Sequence, residues 1–321
     1  MTVAEFEELR PLLFSIAYRI LGSVSEAEDA VQETWLRYEA SATQPLSTKS
    51  FLSAIVTRVS IDVLRSARVR RERYVGQWLP EPLLTDGGAG LAGADAGPGA
   101  PAAYGNPERA AELADSVSMA ALLLLERLSP VERAVFVLHD VFAYSYSEIG
   151  QIVGESEVNC RQLASRARKR MGEERPRFDA DRHERDELAG RFFDALTDGD
   201  VDGLRELLAA DVEMVGDGGG NAPQWANAVT GDAKVARVLV ALVGPFARIG
   251  GTVEPHPVNG QPGAIFRDRD GRVLNTWVLE VLDGRIQTIR AVLNPEKLTH
   301  VGPVADPWSV LREVNQARRS S

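Results

Sequence analysis

Arginine and lysine side chains gather in two stretches of this chain. One is Lys49–Arg73, with Arg58, Arg65, Arg68, Arg70 and Arg71; the other is Arg161–Arg177, with Arg161, Arg166, Lys169 and Arg170. Cations at this density neutralise phosphates, so the chemistry they fit is the gripping of a polyanion. Acid–base chemistry has thinner support. Asp211, Asp217 and His256 are possible proton donors or acceptors, but no spacing ties them together, and Asp217 beside three glycines reads more readily as a turn residue. Cys160 is the only cysteine, which excludes intrachain disulfides and cysteine metal clusters. Its place on an apolar stripe favours a small buried hydrophobe over a redox switch. The run Gly218-Gly219-Gly220 is not a phosphate cradle: no Lys-Ser/Thr follows it, and it leads from a strand into a loop. Close backbone approach or an interdomain contact is the better reading. No cofactor and no metal is expected.

The net charge of −10 over 321 residues appears to oppose nucleic acid, but it averages unlike segments. The first ~48 residues and everything after Phe178 are acidic, and local fields within about a Debye length decide binding. Two basic blocks in an acidic chain fit a protein that grips DNA at two places. The length allows two or three domains. No apolar run approaches the ~20 residues that span a bilayer, and MTVAEFEELRPLL lacks the features of a signal peptide. The expectation is a cytoplasmic protein with no membrane partner.

Several elements must position these groups. Glu5–Leu21 has helical apolar spacing and closes at Gly22. Ser25 with Glu28 spells a capping box for the next helix, with Ala27, Ala30, Val31, Thr34 and Trp35 inward and Asp29, Gln32, Glu33 and Arg37 outward. From Lys49, Leu52, Ile55, Val56, Val59 and Val63 make an apolar face, backed by Thr57, Arg58, Arg65 and Arg68. Trp78, Pro80 and Pro82 then hold the chain extended. A Gly/Ala/Pro-rich tether runs to about Pro107; at ~22 residues its root-mean-square span is roughly 25–30 Å. Glu108–Leu128 predicts a long helix, and Ser129-Pro130 starts another. Ser147–Val153, a turn at Gly154, and Ser156–Met171 form a helix-turn-helix pattern. Cys160, Leu163, Ala164, Ala167 and Met171 lie inward there; Arg161, Gln162, Ser165, Arg166, Lys169 and Arg170 are left to meet a major groove.

After the charged hinge Arg175–Asp186, helices at Glu187–Leu196 and Val201–Leu208 precede a strand at Val212–Val215, a helix from Thr230 through Val243, and strands at Gly263–Arg267, Val273–Leu282 and Arg285–Leu293. Asp270-Gly271 and Asp283-Gly284 are hairpin signals. Helices followed by a curved antiparallel sheet predict an α+β cone. Thr299–Ser321 is left as a tail, either docked through Trp308, Val310 and Leu311 or disordered.

AEDAVQETWLRY, followed by the basic helix ending in RSARVRRERY, resembles region two of the extracytoplasmic-function (ECF) sigma factors. YSYSEIGQIVGESEVNCRQLASRARKRM resembles region four of the same family. The resemblance implies that Asp29, Gln32, Glu33 and Trp35 meet the β′ clamp helices of core RNA polymerase. It implies −10 promoter contacts from Arg58, Asp62, Arg65, Arg68, Arg70 and Arg71. Region four would read the −35 element through Arg161, Gln162, Ser165, Arg166, Lys169 and Arg170, and meet the polymerase β flap. Trp78-Leu79-Pro80-Glu81-Pro82-Leu83, the GDGGG motif and Asn294-Pro295-Glu296-Lys297-Leu298 resemble signatures of the subgroup with a fused SnoaL-like domain, the SigJ-type proteins. One departure is Asn221, where that subgroup commonly has lysine. The architecture implied is multidomain: two all-α sigma domains (1–77 and 108–177) around a linker (78–107), a SnoaL-like α+β cone (178–300) and a tail (301–321).

For function, the resemblance implies an alternative sigma factor modulated in cis by the cone. The cone would contact the linker and region two through Trp78–Pro82, Asp217–Gly220 and Asn294–Leu298. No separate anti-sigma factor is expected, and a small-molecule ligand of the cone is open. Two other readings stay beside this one. The cone could be a cyclase- or isomerase-type enzyme, or the chain could be a ligand-sensing repressor, to which AEDAVQETW would be of no use.

Overall fold

Gly22, at φ +68°, ends helix α1 (Val3–Leu21), and α2 (Val24–Glu39) starts after only two residues. The cap of α2 is Ser23, whose hydroxyl accepts from the Glu26 amide at 3.1 Å, rather than the expected Ser25. The left-handed glycine turns the chain so sharply that Ser23 is already in the extended conformation a cap requires. With α3 (Thr48–Arg71), these helices bury Leu13, Ile16, Ile20, Ala27, Val31, Leu52, Val56 and Val59 in one core.

The computed structural model describes residues 3–41, 45–71, 74–85, 116–172, 182–223 and 227–319. The expected tether, and the first part of the expected helix Glu108–Leu128, lie outside them. The chain divides into two compact units, Met1–Arg73 with Gly87–Pro176, and Tyr74–Asp86 with Arg177–Ser321.

The first unit continues with α4 (Met119–Leu125), α5 (Pro130–Phe136, running into a π-helical turn at Val137–Val141), α6 (Tyr146–Val153) and α7 (Glu157–Gly172). Ser129 with Glu132, and Ser145 with Glu148, form capping boxes that begin α5 and α6. Gly154 (φ +77°) makes the turn between α6 and α7. Gly150 lies against that turn, because a Cβ there would stand 2.6 Å from the Glu155 carbonyl oxygen.

Helices from α1–α3 and α4–α7 pack together inside this unit. Arg133, 1% exposed, donates to the carbonyls of Leu125 (2.9 Å) and Ile20 (2.6 Å) and pairs with Glu126 at 2.6 Å. Arg19 is fully buried, donates to Ser116 Oγ at 2.8 Å and lies over the Phe142 ring. Tyr144 donates to Ser53 at 2.8 Å.

In the second unit, α8 (Arg182–Asp198) and α9 (Val201–Leu207) lead into a six-stranded sheet ordered β2-β1-β6-β5-β4-β3. The strands are β1 (Leu208–Asp217), β2 (Val229–Thr230), β3 (Thr252–Pro255), β4 (Gly263–Arg267), β5 (Val273–Leu282) and β6 (Arg285–Val292). The sheet is mixed, not wholly antiparallel: β1 and β6 run parallel. Tight turns fix β4–β5–β6 as antiparallel neighbours, but the long connection from β1 to β6 imposes no such direction. Strand β3 went unread because it is short and carries Pro255, a residue suited to a sheet edge.

Helix α10 (Asp232–Arg248) places Leu239, Val243 and Phe246 against Phe266, Trp277, Leu279 and Ile289 of the sheet. The expected tail is structured as far as Arg319. Pro295–Lys297 forms a 3₁₀ turn, and α11 (Pro307–Arg319) buries Val310 and Val314 in the same core while Trp308 stays exposed.

A Gly150→Ala change sets a Cβ against fixed backbone, an overpacking that costs about 1–3 kcal/mol and outweighs the ~1 kcal/mol helix-propensity gain. Thermal unfolding should show a lowered midpoint, whereas Gly244→Ala, with open space at that point, should not.

Candidate functional site

Residues 74–85 form a strap that belongs to the cone rather than to a free linker or to the region-two domain. Prolines 80 and 82 forbid helix, so each remaining backbone group must find a partner elsewhere. The Leu79 amide donates to Asp217 Oδ2 at 2.8 Å, and the Leu79 carbonyl accepts from Lys297 Nζ at 2.5 Å. His300 Nε2 lies 2.6 Å from the Pro82 carbonyl. The Leu83 amide donates to Asn259 Oδ1 at 3.0 Å, and the Leu83 carbonyl accepts from the Asn259 amide at 2.7 Å. Leu84 bridges Val258, and the Thr85 amide donates to the Pro257 carbonyl at 3.0 Å. Leu79, Pro80, Glu81 and Pro82 are buried.

Asp217 is the centre of this site. It ends β1 with no exposure, so it is a buried carboxylate and not the expected turn residue. Lys297 Nζ stands 2.7 Å from Oδ2, and the Tyr74 hydroxyl donates to Oδ1 at 2.6 Å. Asn294 Nδ2 donates to the Tyr74 oxygen at 2.9 Å. The Lys297 ammonium also lies 4.7 Å from the Tyr74 ring centre and 4.5 Å from that of Trp78, within cation–π range. Burial, and then the hydrogen bond to Asp217, push the Tyr74 phenol far above its ordinary pKa.

The glycines explain themselves here. Gly219 has φ +58°, and a Cβ on it would stand 2.4 Å from Asn294 Nδ2 and 2.6 Å from the Tyr74 hydroxyl. Gly220 (φ +79°) faces Val75, and Gly218 is buried. Asn294 caps the 3₁₀ turn by accepting from the Glu296 amide, and Leu298 is fully buried. Asn221 is exposed beyond the turn; the cation beside Asp217 is Lys297. The three motifs therefore meet at one point. Tyr74, Asn259 and His300 were not singled out from sequence, and only their nearness to the motifs could have signalled them.

The acid–base candidates do not converge. Asp211 accepts from Gln287 at 3.1 Å, Asp217 is held in the strap site, and His256 Nδ1 lies 2.8 Å from the Pro257 carbonyl. Among the described residues no group of three or more His, Cys, Asp or Glu is placed to hold a metal. No described helix is long and apolar enough to cross a membrane.

On the first unit, Asp29 and Gln32 are exposed, and Glu33 pairs with Arg37 at 2.7 Å. Trp35 is half-buried, its ring centre 4.8 Å from that of Phe6. Arg58 does not stand free: Nε donates to the Ile152 carbonyl and a terminal nitrogen to that of Gln151, each at 2.7 Å. Asp62 and Arg65 are exposed and 3.5 Å apart. The side chains of Arg68, Arg70 and Arg71 lie outside the described residues. On α7, Arg161, Gln162, Ser165, Arg166, Lys169 and Arg170 form one exposed row, Arg170 touching Glu132 at 3.0 Å. Cys160 is buried, and burial first raises its thiol pKa, as suits a packing residue.

Residues 6–70 match the Sigma-70 region 2 family and residues 118–171 the Sigma-70 region 4 family. The ECF RNA polymerase sigma factor SigJ of Mycobacterium tuberculosis is 38% identical over 307 residues, which cover 93% of this chain and 94% of that one. This chain belongs to the ECF RNA polymerase sigma factors. A second relative, the probable ECF RNA polymerase sigma factor SigI of the same species, is 30% identical over 303 residues, covering 90% of this chain and 92% of its own. The crystal structure of SigJ aligns with a TM-score of 0.70 at 33% identity, over 95% of this chain and all of that one. The chain is thus an alternative sigma factor, a transcription regulator and not an enzyme, whose partners are core RNA polymerase and promoter DNA. Its C-terminal unit is the helix-flanked mixed sheet described above, which the alignment with the SigJ structure spans.

Asp217→Ala would leave Lys297 buried without its carboxylate, a loss of about 3–5 kcal/mol. The Leu79 amide should then exchange with solvent faster, and adding Lys297→Met should recover part of the stability in a double-mutant cycle. A second test follows from the phenol. A tyrosine whose pKa is raised by folding contributes in full below about pH 10, its ordinary value, and loses that contribution as pH rises further. Tyr74→Phe should therefore flatten the alkaline decline in unfolding midpoint, measured by circular dichroism between about pH 8 and 11.

Proposed function

We propose that this sigma factor's promoter access is set in cis by the strap. One observation carries the reading: the motifs at Trp78–Leu83, Asp217–Gly220 and Asn294–Leu298 meet at the buried Asp217–Lys297 pair. The strap follows directly on α3, to which the −10 contacts of Arg58, Asp62, Arg65, Arg68, Arg70 and Arg71 are assigned. While Leu79 is held between Asp217 and Lys297, the chain leaving α3 is tied to the cone. Arg58 meanwhile spends its guanidinium on two carbonyls of the helix-turn-helix. Promoter engagement needs those groups for phosphates and bases, so the strapped form is the silent one.

In the released form, Asp29, Gln32, Glu33 and Trp35 dock on the β′ clamp helices and region four on the β flap. The exposed row of α7 then meets the −35 element in the major groove, where arginine and glutamine match base edges and phosphates. The restraint lies within one chain, so this reading requires no separate anti-sigma factor. The protein acts in the cytoplasm, beside core polymerase.

Transcription reconstituted with core polymerase on a cognate promoter tests the proposal in the full chain. Asp217→Ala should raise transcript yield at least about 5-fold, the low end of ordinary coupling between sites. An unchanged yield from a folded Asp217→Ala protein would refute cis control by the strap, and a fall would mean that the strapped form is the active one. Lys169→Ala on α7 should weaken promoter binding at all sequences alike and lower the salt dependence by about one counterion.

A further inference from the structure

The cone holds a partly open cavity of about 230 Å³ between the inner face of the sheet, α10 and α11. Phe246, Phe266, Trp277, Val310 and Val314 are among its walls. Among the described residues Asn275 is the one amide in a lining otherwise of apolar side chains. It is 7% exposed, and its Oδ1 has no hydrogen-bond partner among the described residues. A buried acceptor left unpaired costs about 1–3 kcal/mol, so an atom that donates to it from within the cavity is favoured.

We propose that this cavity is a binding site for a small, neutral, largely apolar molecule carrying one N–H or O–H donor, which Asn275 Oδ1 accepts. The lining sets each part of that description. Among the described residues it holds no carboxylate, histidine, lysine or arginine, so an ionised ligand would enter without a counter-charge. The same absence of acids and bases makes the site one that binds without converting. The volume exceeds the roughly 150 Å³ cavity that accepts benzene, which fits a ligand of one ring or two fused rings. Helix α11 supplies one wall, so the ligand seats that helix against the sheet.

The site is separate from the strap but adjoins it along the same strands. Met214 lines the cavity three residues before Asp217, and Leu293 lines it directly before Asn294. Occupancy is therefore placed to be felt at the strap, but the binding itself does not depend on the strap's role.

Isothermal titration of the full chain with indole and with benzofuran tests the proposal. The two are nearly the same size, and only indole carries a donor. Indole should bind saturably and about 3–10-fold tighter than benzofuran, the ratio expected of one hydrogen bond. Asn275→Leu should erase that preference while retaining benzofuran. Val310→Trp should fill the space and abolish both, and Leu242→Trp, from the half-exposed side of α10, is the second filling variant should the first fail to fold. No saturable binding of either probe, or binding undiminished in a folded filling variant, would overturn the site. Equal affinities unaffected by Asn275→Leu would overturn the donor assigned to the ligand.

Discussion

Asp217 is a carboxylate wholly removed from water, and the second unit is built around satisfying it. An isolated buried charge is strongly unfavourable, so the site holds only while lysine, phenol and backbone amide stay together around it. Those partners come from two places in the chain: Tyr74 and Leu79 from the strap, and Lys297 from the capped 3₁₀ turn after β6, whose Asn294 stands behind the phenol. The strap cannot lift without leaving both Asp217 and Lys297 short of partners. That makes its attachment cooperative rather than a sum of weak contacts. It also dictates Gly219, since any side chain there would occupy the space of the Asn294 amide and the Tyr74 hydroxyl.

The first unit uses buried charge differently. Arg19 and Arg133 carry no exposed surface to speak of, and carbonyls and hydroxyls are among their partners, beside the Glu126 carboxylate on Arg133. A guanidinium has donors in a fixed fork, so one side chain can satisfy helix-end carbonyls from two elements at once. Arg133 does this by joining the end of α4 to the end of α1. Arg58 does the same from the surface, gripping the last carbonyls of α6, where the helix dipole favours a cation. The same residue type thus serves the interior, the contact between helices and, on α7, the exposed row available to DNA.

Much of this was legible because it is local. Apolar spacing marked α1, α2, α3 and α7, and Ser129-Pro130 marked the start of α5, whereas α6 begins at Tyr146 under a Ser145 cap instead of at the expected Ser147. Asp283-Gly284 marked the β5–β6 hairpin, with Asp283 at φ +51° and Gly284 at +67° as the turn needs. The motif triad was also legible as three separate strings, through family resemblance. What stayed hidden was long-range. The parallel pairing of β1 with β6 joins residues such as Glu213 and Thr288, 75 positions apart, and nothing in either strand's pattern states the direction. Asp217 reads as a turn residue because glycines follow it, and only burial by the strap and the 3₁₀ turn makes it the hub. The Trp78–Leu83 segment reads as a linker for a similar reason: its prolines exclude helix but do not say where the freed backbone groups find partners.

By itself the sequence determined most of the helices, the cap of α5, the hairpins, the two basic blocks and the family. Each of these depends on residues within a few positions of one another, where sterics, capping and charge density act directly. The tertiary structure alone decided that the strap belongs to the cone, that Arg58 is engaged, that Asp217 and Lys297 are a buried pair, and that Asn275 faces an apolar cavity. Burial and desolvation depend on which distant segments cover a residue, and local pattern carries no record of that.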